Sequence, residues 1–396
     1  MLFQTLDDKK DCIAVYANNK LHFEKIPKKL TKTWSYSAFL KKYSNIEYAN
    51  LYCEGKNLNE VCPKHLFKKW EEVHKKLKAF YRAVQEAKLD LNEHCFFDMV
   101  PESFITDFCK IKNQICRHIF ENVEKPENYD FLFSLTKLTT DIKYQKLNLD
   151  LNVLKTDLHS APTRKFFRKI GATPPYIKYN IFGTKTGRLS AAKNSFPILT
   201  MNKSYRSIIK PQNDLFIEFD YNAAELRTLL ALSGKEQPID DLHEWNAKNV
   251  YEGSTSREEA KKRIFAWLYN PESKDRLSGR AYGRGRVKQK YWDGKVVNTM
   301  YGRQIESDNH HALNYIIQST FADLFLRQTL KVHDLLKNKK SFISFLIHDS
   351  LVIDLAEEDK KILPKLKNAL MSTDLGKFKI SLNAGKNFGD MRLLKI

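Results

Sequence analysis

The chain has 396 residues, 42% of them hydrophobic. Single domains run to roughly 100–200 residues, so two or three subdomains with separate cores are expected. Lys and Arg number 67 against 47 Asp and Glu, a net charge of +20, and such a field points to a polyanionic partner. No apolar run approaches the ~20 residues that cross a bilayer, and Met1 to Asp8 lacks the basic-then-apolar pattern of a signal peptide. These features argue against a membrane or secreted protein and for a cytoplasmic one, in the host cell if the source is viral.

Arginine is unevenly spread: it makes up only 16 of the 67 basic residues, and 12 of those lie from Arg188 onward. Planar, bidentate phosphate recognition favours Arg over Lys, which directs attention to the second half of the chain. The six cysteines, Cys12, Cys53, Cys62, Cys95, Cys109 and Cys116, all fall in the first third without a C-x-x-C pair. Free thiols are predicted in preference to structural zinc.

In chain order, short β patterns at 13–17, 21–26 and 46–53 predict a small α/β module over 1–62. The period then turns helical. Leu66, Trp70, Val73, Leu77 and Tyr81 fall three and four apart, as do Phe104, Phe108, Ile111, Ile115 and Ile119, and a helical subdomain follows to about 147. From 176 to 209, β patterns mix with Gly and Pro. The run 215–220 reads as a strand ending on an acid, and helical patterns occupy 223–232 and 257–268. Two apolar runs, 342–347 and 351–355, flank His348, Asp349 and Ser350, which predicts a hairpin with an acid at its tip.

Two carboxylates on rigid strands suit chemistry that needs a pair of divalent cations about 3.5–4 Å apart, as phosphoryl transfer between nucleotides does. Asp220 and Asp349 fit that description, although acids at strand ends are common. A second pattern is Arg257, Lys261, Phe265 and Tyr269. Residues four apart drift only about 40° per step around a helix, so these four form one stripe about 18 Å long, enough to run from a triphosphate to a base. An ordinary amphipathic helix has the same spacing.

The context of these residues resembles a known family. Asp220-Tyr221-Asn222-Ala223-Ala224-Glu225-Leu226-Arg227 resembles the D-Y-S-Q-I-E-L-R motif of family A (bacterial DNA polymerase I type) DNA polymerases, and His348-Asp349-Ser350 resembles their H-D-E. The stripe matches R-x3-K-x3-F-x3-Y, and Thr186-Gly187-Arg188-Leu189-Ser190 matches T-G-R-L-S. Tyr301-Gly302-Arg303, then Asn314 to Thr320 with Ala322-Asp323, resemble the G-R and N-x3-Q-G-T-x-A-D stretches, and Ala384 to Gly389 the terminal G-x-N-W. The likeness runs in order over about 176–396.

This resemblance implies a compact, phage- or mobile-element-like DNA polymerase that extends a primer 3′ end with dNTPs on primer-template DNA. The implied fold is α+β, a right hand with thumb at 63–159, palm at 160–232 and 300–396, and reduced fingers at 233–299. Two Mg2+ ions, with Mn2+ as a substitute, would be held by Asp220, Asp349 and the Tyr221 backbone. Arg257 and Lys261 would meet the phosphates, with Lys261 also catalytic. Phe265, Tyr269, Glu225 and His348 would contact the rest of the nucleotide, Glu225 excluding a 2′-hydroxyl. Arg188, Arg303, Asn314, Gln318 and His310 would contact DNA.

The chain departs from the family at Ser350, where Glu is usual, at Asn270 after Tyr269, at His310 in place of an Arg, and at Thr200 near an expected Gln. Ser350 is shared with single-subunit, phage-type RNA polymerases, whereas Glu225, Phe265 and the T-G-R-L-S stretch fit the DNA enzymes. A catalytically inactive nucleic-acid-binding subunit is the other alternative, and retention of both acids argues against it. Near its first strand the N-terminal module has only Asp7-Asp8-Lys9 where an exonuclease would carry D-x-E, so no proofreading is expected.

Overall fold

Alternation of apolar residues with Glu218 and Asp220 makes Leu215–Tyr221 a strand, and it is the middle strand of the larger sheet. The computed structural model describes all residues except Lys9, Lys10, Tyr36, Ala38, Lys41, Lys42, Glu54, Gly55, Asn92 and Ile396. Lys9 of the Asp7-Asp8-Lys9 stretch therefore lies outside the described residues.

The chain divides into two compact units, Met1–Tyr144 and Gln145–Ile396. In the first, a five-stranded sheet is formed by Lys20–His22, Asp11–Ala17, Leu2–Asp8, Lys32–Thr33 and Glu47–Tyr48, in that order across the sheet. The expected strands at 21–26 and 46–53 contract to these short pairings. Helices Lys64–Glu86, Glu102–Asn122 and Tyr129–Lys143 follow. Leu6, Ala14 and Tyr16 of the sheet share one core with Leu66, Trp70, Phe104, Cys109 and Ile115 of the helices. One core thus spans both sides of residue 62, and the unit ends at Tyr144. All six cysteines lie here as free thiols, and burial pushes those of Cys109 and Cys116 up to about 12.

In the second unit the sheet runs Phe342–Ile347, Ser350–Leu355, Leu215–Tyr221, Ile380–Gly385 and Arg392–Leu393, with every neighbouring pair antiparallel. The 25-residue helix Ala312–Leu336 supplies Phe321 and Phe325, whose rings meet Tyr221 edge-on, as does Phe378. Helices Ala224–Leu232, Arg257–Tyr269, Arg276–Tyr282 and Arg284–Tyr291 gather with the start of the long helix around Leu226, Leu229, Ile264, Trp267, Tyr282 and Ile316. This core fixes the Arg257–Tyr269 helix relative to the end of the central strand at Asp220. Among the described residues no helix is long and apolar enough to cross a membrane.

Candidate active site

On the central strand Ile217, Phe219 and Tyr221 are buried, and the Tyr221 hydroxyl donates to the Leu370 carbonyl at 2.6 Å. Glu218 and Asp220, two residues apart, project together from the opposite face. Asp349 is the second residue of the two-residue turn closed by the Ile347 and Ser350 pair. His348, the first, adopts φ 54°, the positive φ that this kind of tight hairpin demands. Asp220 is the cross-strand partner of Ser350, and the Tyr221 N–H donates to the Asp349 carbonyl at 3.4 Å. Register therefore sets the two predicted acids side by side.

Burial, reinforced by the charges of Asp349 and Glu218, pushes the Asp220 carboxyl up to about 7, against the pull of Lys203 and Lys261. Three negative groups converge on one edge with too little positive charge to balance them, which is the donor set and electrostatic deficit that divalent cations fit. Among the described residues no three His, Cys, Asp or Glu side chains form a ready-made metal cage.

The Arg257–Tyr269 helix starts with a capping box between Ser256 and Glu259. All four residues of its stripe line one cavity of about 680 Å³ together with Asp220, Asp349, His348, Glu225, Arg188 and the Tyr221 position. Phe265 and Tyr269 stack with centroids 5.9 Å apart and planes 8° from parallel. Arg257 is already engaged, donating through Nε and Nη2 to the two Asp241 oxygens at 3.1 and 3.0 Å. Burial pushes the Asp241 carboxyl up, but its bonds from Arg257, the Glu244 amide and Asn222 outweigh this and hold it well below the usual range. His243, two residues on, also lines the cavity, and burial pushes its imidazole down to about 4, leaving it neutral at pH 7.

Glu225 sits in the cavity wall, where its Oε1 accepts from Arg188 Nη2 at 2.7 Å. Burial raises its carboxyl, opposed by Arg188 and by a bond from the Gln318 side chain. Of the residues assigned to DNA, Arg188 alone lines the cavity; Arg303, Asn314, Gln318 and His310 do not. Arg303 forms a two-point ion pair with buried Asp323 at 2.7 and 3.2 Å. Gly187, at φ 77°, lies against that guanidinium so closely that a Cβ there would come within 2.4 Å of it. Asn314 and Gln318 share one face of the long helix, and the Asn314 Oδ1 is buried with no partner among the described residues. His310 is exposed just before that helix.

Three cavity or near-cavity residues escaped the sequence reading. Glu218 could have been found from period 2 alone, because it shares a strand face with Asp220. His243 and Asp241 lie in a polar segment with no periodic signal, and only the fold brings them to the Arg257–Tyr269 helix.

No protein-family model matches the sequence. In sequence the chain is similar to a DNA polymerase of Mycobacterium phage L5, with 27% identity over 235 residues, covering 50% of this chain and 38% of that protein. The chain thus spans well under half the length of that relative. In structure it is similar to the POL domain of Pol1 from M. smegmatis, solved in complex with DNA primer-template and dNTP. The TM-score is 0.56 at 12% identity, covering 73% of this chain and 76% of the other. The chain therefore has the α+β fold of a DNA polymerase POL domain, the fold that its resemblance to family A polymerases implied.

Proposed function

We propose that this chain is a template-directed DNA polymerase, extending a primer 3′ end with dNTPs by two-metal phosphoryl transfer and without proofreading. The observation that carries the reading is the shared cavity, in which the Asp220 and Asp349 edge faces the stripe of Arg257, Lys261, Phe265 and Tyr269. On this reading the larger sheet is the palm and the helices at 233–299 are the fingers.

Asp220, Asp349 and the Tyr221 backbone would hold two Mg2+ ions, with Mn2+ able to replace them. Ions held there would supply Lewis acidity for the attacking hydroxyl and the leaving oxygens. Lys261 and Arg257 bring positive charge to the triphosphate, with Lys261 able to counter the charge that develops on the leaving pyrophosphate. Arg257 reaches the nucleotide by sharing its guanidinium with Asp241 or by exchanging partners. Neutral His243 adds a hydrogen-bonding ring on the same side, and His348 lies beside Asp349. Stacked Phe265 and Tyr269 offer an apolar surface to sugar and base, and Glu225, fixed by Arg188, occupies the place where a 2′-hydroxyl would project. Arg303, Asn314, Gln318 and His310 are assigned to the primer-template duplex.

Primer extension on a defined template, with dNTPs and NTPs in parallel, tests the reading. Wild type is expected to use dNTPs, and Asp220→Ala and Asp349→Ala to lose extension by at least about a thousandfold. DNA binding should persist in both, because it rests mainly on phosphate contacts. Preference for NTPs would favour the RNA polymerase reading that Ser350 suggests. DNA binding without extension of any kind would leave a binding subunit.

A further inference from the structure

Ser350 occupies the position where a family A polymerase carries its hairpin glutamate, directly across from Asp220. The hydroxyl is buried and donates to Glu218 Oε1 at 3.2 Å, with the Ile347 carbonyl equally near. The other Glu218 oxygen, Oε2, accepts from Asn383 Nδ2 at 3.0 Å. Asn383 is the cross-strand partner of Glu218 on the opposite side of the central strand. One carboxylate is thus steered from both neighbouring strands to lie over the place that Ser350 leaves short of an acid.

Strand pairing does not call for a charge there. A glutamine would accept from Asn383 with its carbonyl oxygen and donate its amide to the Ser350 hydroxyl, which can turn to the Ile347 carbonyl, and a carboxylate next to Asp220 and Asp349 adds repulsion. Residues two apart on a strand are about 6.6 Å apart. Mg2+ binds oxygen at about 2.1 Å and keeps several of its waters, so an ion seated on Asp220 lies within one water of Glu218. Since both Glu218 oxygens are already engaged, contact through the water shell suits the geometry better than direct ligation.

We propose that Glu218 is the third carboxylate of this metal site, supplied by the Asp220 strand instead of by the hairpin, and that it positions the hydrated cation through water. Ser350 and Glu218 then form a matched pair, since a glutamate at 350 would place two carboxylates in one spot. The inference rests on the two-metal polymerase reading.

The test uses the full chain on a primer-template with a dideoxy-terminated primer, so that Mn2+ binding is read by electron paramagnetic resonance without turnover. The Mg2+ dependence of extension is measured separately on an extendable primer. Glu218→Gln, which keeps the side chain's shape and can still bond both Asn383 and Ser350 once the Ser350 hydroxyl reverses its role, is expected to weaken Mn2+ binding and raise half-saturating Mg2+ by about tenfold, the lower end for loss of an outer-shell partner. Adding Ser350→Glu to Glu218→Gln should recover most of that loss, while Ser350→Glu alone should not tighten binding. Thermal melting checks that each variant is folded, and Glu218→Ala replaces Glu218→Gln if that variant is not. Unchanged Mn2+ affinity in folded Glu218→Gln overturns the proposal, as does failure of Ser350→Glu to recover any of the loss. If wild type extends no primer yet Mn2+ binding falls in Glu218→Gln, the polymerase reading fails and the metal role stands.

Discussion

At the scale of single residues, Asp220 links site chemistry to stability. Its folded-state value of about 7 lies above the ordinary Asp range. Between about pH 4 and that value, the folded chain keeps a proton that the unfolded chain has released. The contribution of this group to stability is therefore lost as pH rises through that window. Asp220→Asn should be more stable than wild type above pH 7, by a few kcal/mol at most and seen as a higher melting temperature, and show no gain below pH 4. Mg2+ should stabilise wild type at pH 8 more than at pH 5, and should do little for the Asn variant. Parallel melting curves for the two proteins across pH would remove the assignment. Glu225 gives a second residue-level prediction. Glu225→Ala should admit ribonucleotides roughly tenfold to a hundredfold more readily, the cost of one buried unsatisfied hydroxyl being about 1–3 kcal/mol. Glu225→Gln, which keeps the bulk and can still accept from Arg188, should stay near wild type if the exclusion is steric. Competition between dNTP and NTP at one template position decides it, and an unchanged ratio in the Ala variant would remove the gate. That Asp220, Asp349 and Glu225 belong together was legible from sequence because each sits in a local motif, and the three line one cavity. The Arg188 and Gln318 bonds to Glu225 were not, because those partners lie far away along the chain and meet only through the fold.

At the scale of elements, the strand end and the loop after the first motif helix are joined by Arg227. It is fully buried and donates to the carbonyls of Asn222, Pro238 and Asp240, each at 2.8 Å. Its Nη2 also donates to Asn222 Oδ1 at 3.1 Å. That Asn222 oxygen also accepts from the Leu242 amide, and Asn222 Nδ2 donates to Asp241, so the same knot leads to Arg257. Arg227→Met should cost about 3 kcal/mol or more, because several buried acceptors lose their donor at once. Chemical denaturation measures this, and a loss below about 1 kcal/mol would show that water replaces the guanidinium. Sequence pattern found the strand, the hairpin and the Arg257–Tyr269 helix within a residue or two, since the strands are apolar runs bounded by polar turns and the helix carries a stripe of side chains four residues apart. In the first unit it overestimated the strands at 21–26 and 46–53, where pairing partners and not local propensity set the length, and it missed Leu2–Asp8. It also gave no sign that the last motif residue, Arg227, serves the polar loop instead of the cavity.

At the scale of the whole molecule, the order of motifs along 176–396 carried the fold class, whereas the partition of the first half did not follow from composition. A sheet and helices that share a core look like two modules when periodicity alone is read. The first unit bears on the last prediction. Asp7 is half-buried, and burial raises its carboxyl against hydrogen bonds involving Ser37, Cys12 and Thr5, a setting turned inward and poorly suited to an open metal site. Purified protein should therefore not remove a mispaired primer end with Mg2+ or Mn2+, and excision that disappears on replacing Asp7 by Asn would reverse this. The confinement of every cysteine to the first unit has a practical outcome for spectroscopy. The second unit offers no thiol to a maleimide, so one cysteine introduced at exposed Lys262 carries a dye on the outer side of the cavity helix. Any competing label is confined to residues before 145, where it can be mapped by proteolysis.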